Sequence, residues 1–83
     1  IQQEEMSMNR INKVTLKYVH SDVCRAYSQI KLLCEKEKQS VENVPVNLHS
    51  AENYQKLVKS SELLSQIQHD TSELLKLLKT TTL

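Results

Sequence analysis

Apolar residues recur along this chain at three- and four-residue spacing, the pattern of amphipathic helices rather than of strands. In the first half, Leu16, Val19, Val23, Ala26, Ile30 and Leu33 form a heptad seam. The same face collects Ile1, Met8, Tyr27, Cys34 and Val41, and polar Asn12 and Glu37 interrupt it. In the second half, Tyr54, Leu57, Ser61, Leu64, Gln68, Thr71, Leu75 and Leu78 repeat the pattern. Small or polar seam residues such as Ser61, Gln68 and Thr71 weaken a coiled coil but set its register.

One break separates the two patterns. Pro45 has no N–H and pushes Val44 out of helical geometry, so a helix is expected to end before this pair. Ser50 is placed to cap the next helix, with Glu52 in its first turn where the dipole favours negative charge. The expected organisation is a helix over about 3–43, a break over 44–50 and a helix over about 51–79. The fold class is all-α: a long antiparallel helical hairpin, coiled-coil-like and oligomeric. The second helix is expected to be shorter by about ten residues, ~15 Å, so that the start of the first projects past it. The alternative is a compact three-helix bundle with a break near residue 21, capped by Ser21 or Asp22.

The apolar surface exceeds what a hairpin needs. Ile11, Val14 and Tyr18 lie nearly opposite Leu16, Val19 and Val23 on the first helix, near Met8. Leu63, Ile67, Leu74 and Leu77 widen the second seam in its later half. A helix that is apolar on most sides expects to be covered on most sides. Antiparallel pairing brings both surpluses to the end away from Pro45, where a partner or dimerisation surface is expected. The competing expectation is a third helix of the same chain, outside this sequence, covering that face. Packing is assigned to Leu16, Val19, Val23, Ile30, Leu33, Leu57, Leu64, Leu75 and Leu78, and association to the surplus residues.

Composition sharpens this picture. The 83 residues contain no Gly, Phe or Trp and one proline, so β-hairpins and tight turns with φ > 0 are disfavoured. The 11 Lys and Arg balance 10 Asp and Glu, which argues against nucleic acid as the partner. Arg10, Lys13 and Lys17, with His20, still make a short basic flank beside Ile11, suited to orienting a partner by charge. No apolar run approaches the ~20 residues of a membrane span, so membrane insertion is not expected. The chain begins at Ile1 and reads as a piece of a larger protein. Two cysteines do not make a secreted disulfide framework, and an intracellular setting, cytoplasmic or nuclear, is expected.

Chemistry-bearing residues are sparse. His20 and Cys24 share a helix face at i, i+4, yet zinc needs further ligands and Cys34 lies ~15 Å along the helix. The adjacent His20, Ser21 and Asp22 point in different directions and cannot act as a triad. No phosphate loop, metalloprotease motif or nucleophile elbow occurs, so no enzyme activity, metal or cofactor is expected. The expected role is a non-catalytic protein–protein module that assembles helices, with itself or with another helical protein. The alternative is a monomeric three-helix domain binding a short helical motif.

Overall fold

A computed structural model describes residues 8–82. It contains two long helices, α1 (Arg10–Glu42) and α2 (Glu52–Thr82), joined through a single 3-10 turn at Val46–Leu48. They pack side by side as an antiparallel hairpin in which the 33 residues of α1 alone run ~50 Å. The expected start of the first helix near residue 3 lies outside the described residues.

Each end of α1 has a local cause. Asn9 is extended at φ −68°, ψ 166°, and its Oδ1 accepts from the backbone N–H of Asn12 at 2.8 Å. Asn12, which interrupts the apolar face, is thus part of a helix start. At the other end the Asn43 N–H bonds the Gln39 carbonyl at 3.0 Å, and Pro45 follows at φ −59°, ψ 145°. The chain then reverses through a relay of short turns. Pro45, Val46 and Leu48 carbonyls accept from the N–H groups of Leu48, His49 and Ala51 at 2.9, 3.1 and 3.1 Å. No described residue has positive φ, which is how a chain without glycine turns around.

Three expectations change. The helix α1 runs unbroken through His20–Ser21–Asp22, so the three-helix alternative is not adopted. α2 starts one residue later than a Ser50 cap requires: the Ala51 carbonyl accepts from Gln55 N–H at 3.2 Å, which puts Ala51 at the cap position. Glu52 does occupy the first turn and pairs with Lys56 at 3.3 Å. With 33 and 31 residues the helices are nearly equal, so the projecting start of α1 shrinks to a few residues.

The seam between the helices follows a strict heptad. On α2 it is the expected set, from Tyr54 through Leu57, Leu64 and Leu75 to Leu78, each shielded from solvent. On α1 the shielded positions are Leu16, His20, Val23, Tyr27, Ile30, Cys34, Glu37 and Val41, with Cys24 beside them. Leu16, Val23 and Ile30 are where expected, but Val19 and Leu33, at 41% and 49% exposed, stand beside the seam with exposed Ala26. The column chosen as their partner is one residue later, His20, Tyr27 and Cys34. Both columns flank Leu16–Val23–Ile30 symmetrically, and the position of α2 selects one. Counted from the turn between Glu42 and Glu52, antiparallel pairing sets Leu16 about level with Leu78, Val23 with Thr71, Tyr27 with Gln68 and Cys34 with Ser61. Tyr27 and Gln68 line one groove accordingly. Two helices enclose little: only Cys34 (2%) and Leu78 (9%) are buried among the described residues.

Candidate assembly surface

The outside of the hairpin carries the apolar residues that the seam leaves over. Ile11, Tyr18, Leu77 and Leu63 are 77%, 70%, 66% and 57% exposed. Met8, Val14, Ile67 and Leu74 are exposed as well.

Their directions follow from the helical step of ~100° per residue. On α1, Val19, Ala26 and Leu33 recur every seven residues on one flank of the seam. On α2, Ile67 and Leu74 recur every seven residues on a flank turned in the same rotational sense. In an antiparallel pair, equal rotational offsets fall on the same side of the rod. Val19 therefore stands level with Leu74, and Ala26 with Ile67, on one broad face. Leu63 and Leu77 extend that face outward on α2, and Met8 extends it on α1. A shallow groove lined by Met8, Asn12, Thr15, Leu16 and Val19 lies on its distal part.

The opposite face is polar. Lys17, Cys24, Lys31 and Lys38 edge α1 there, and Ser65 and Ser72 edge α2. Val14 points toward this side, and Arg10, Lys13 and Lys17 share it rather than bordering Leu74 and Leu77. Ile11, Tyr18 and Leu32 run down the back of α1, away from α2. The residues assigned to association are therefore not one patch. Ile67 and Leu74 share one face with Val19 and Leu33, with Leu63 and Leu77 along its α2 rim and Met8 at the distal end of its α1 rim, whereas Ile11 and Tyr18 face outward alone and Val14 lies on the far side.

Sequence reasoning missed three exposed apolar residues, Leu32 (56%), Val46 (82%) and Leu48 (49%). The last two sit in the turn, where no periodicity exists to reveal a face. Leu32 continues the Ile11–Tyr18–Arg25 column at seven-residue spacing and was legible in principle.

Elsewhere the chemistry is modest. The Sγ of Cys24 contacts the His20 ring nitrogens at 3.9 Å. Among the described residues no group of three or more His, Cys, Asp or Glu side chains gathers as metal ligands. Cys24 is half-buried and Cys34 buried, both as free thiols. Among the described residues, no helix is long and apolar enough to cross a membrane. A second shallow groove lies at the turn, lined by Val44, Leu48, Ala51, Tyr54 and Leu57. Comparisons with protein-family models, with curated proteins and with solved structures give no match for this chain.

Proposed function

We propose that the hairpin is a non-catalytic assembly module that acts by packing its exposed apolar face against further helices of a protein partner. One observation carries this reading: the large aliphatic groups outside the rod outnumber those the rod encloses. The accessible surface is 6973 Å² for a 9.6 kDa chain. A compact monomer of that mass exposes roughly 5,100 Å². The difference, roughly 1,900 Å², is more than the ~800 Å² that each partner contributes to a standard protein interface. A monomeric three-helix recognition domain needs a break that α1 does not have. An intracellular setting, cytoplasmic or nuclear, goes with this reading, since two cysteines make no secreted disulfide framework.

The test replaces Leu74 and Leu77 with Asp and compares molar mass by light scattering and helix content by circular dichroism. Assembly is lost, and the half of the rod nearer the turn stays helical. An unchanged mass and an unchanged melting profile in the variant refute the assembly role. Ile11→Asp with Tyr18→Asp probes the back of α1 in the same way.

A further inference from the structure

We infer that the apolar face is closed by a second copy of this chain, reversed end for end, so that two hairpins form a four-helix bundle. The pairing rests on the assembly function proposed above and names its partner.

The direction of the apolar stripes supplies the number of helices. In an isolated pair each stripe points at its neighbour. In a bundle it points at the common axis, about 45° away for four helices and about 30° for three. On α1 the Leu16–Val23–Ile30 column together with Val19–Leu33 is turned about 50° from the seam in use, half of one residue step. On α2 the Leu57–Leu64–Leu78 column together with Ile67–Leu74 is turned by the same amount to the same side. Both stripes thus aim at a line above the hairpin face, where the axis of a four-helix bundle lies.

Charge supplies the orientation. The outer rim of the face holds Asp22 and Lys36 on α1, and Asp70 and Lys56 on α2. Asp22 now reaches Arg25 at 3.6 Å, Asp70 accepts from Gln66 at 2.8 Å, and Lys56 pairs with Glu52 at 3.3 Å, all on the surface. A copy pointing the same way sets Asp22 against Asp70 and Lys36 against Lys56. A reversed copy, turned about the level of Gln29 and Leu63, sets Asp22 against Lys36 and Asp70 against Lys56 on both rims. The same operation places Ala26 against Leu33 and Ser60 against Ile67, small against large, with Val19 over Ser40 and Leu74 over Asn53. The surplus surface of each chain exceeds the ~800 Å² per partner that a standard interface needs.

Sedimentation equilibrium of the intact chain over a wide concentration range tests the partner, alongside concentration-dependent thermal melts. A dimer is expected, abolished by Ile67→Asp with Leu74→Asp and unaffected by Ile11→Asp. Orientation is tested by Asp22→Lys with Asp70→Lys, which raises the dimer dissociation constant about tenfold. Equimolar mixing of that variant with Lys36→Asp, Lys56→Asp restores tight dimers, and Asp22→Lys alone also weakens dimerisation. Dimers tightened by Asp22→Lys alone overturn the reversed arrangement. A chain that is monomeric and largely unfolded by itself overturns the second copy while the assembly role stands. A monomer that melts cooperatively at a concentration-independent temperature overturns both, and a mass above the dimer overturns the four-helix bundle.

Discussion

The imidazole of His49 lies flat on the ring of Tyr54, with centroids 4.2 Å apart and planes 6° from parallel. The Nε2 of His49 donates to the Val44 carbonyl at 3.0 Å. One side chain thus ties the end of α1 to the first turn of α2. The hydrogen bond gives a partner to the Val44 carbonyl in the turn just past α1. Replacing His49 with Ala removes both contacts and is expected to cost about 1–2 kcal/mol. Urea unfolding at fixed protein concentration measures it, and a midpoint equal to that of the parent chain would show that the turn holds without this tie.

Asn9 caps α1 through its Oδ1, with the Asn12 N–H 2.8 Å away. Asn9→Ala is expected to lose about 1 kcal/mol, concentrated in the first turn of α1. Amide hydrogen exchange locates the effect: protection falls over residues 10–13 and is kept around Ile30. Uniform loss along the helix would contradict a local cap.

The two thiols differ in access. Cys34 is 2% exposed at the seam opposite Ser61, whereas Cys24 stands half-buried at the edge of α1. Alkylation of the native protein, followed by mass spectrometry, should modify Cys24 at least about tenfold faster than Cys34. Equal rates would place Cys34 outside the seam.

Gln68 sits half-buried in the seam, level with Tyr27. Gln68→Leu exchanges a polar layer for an apolar one and is expected to stabilise the hairpin by about 1 kcal/mol. The same change relaxes register, because polar seam positions discriminate between alignments. A raised urea midpoint with broader size distribution on gel filtration checks both consequences, and a lowered midpoint would mean that Gln68 makes an indispensable bond.

Much was legible in the residues themselves. The absence of glycine, the single Pro45 and the three-four spacing of leucines determined two long helices with one break between them. On α2 the spacing from Tyr54 to Leu78 also named the seam, beside which Val58, Ser65 and Ser72 are half-buried as well. On α1 periodicity was not enough. Leu16, Val23 and Ile30 are flanked on one side by Val19, Ala26 and Leu33 and on the other by His20, Tyr27 and Cys34, and either set completes a heptad. Only tertiary structure decided between them. A wheel describes one helix in isolation, but burial depends on the direction from which the neighbour approaches, and α2 approaches over Cys34. That same half-step of rotation is what leaves Val19, Leu33, Ile67 and Leu74 together on one open face.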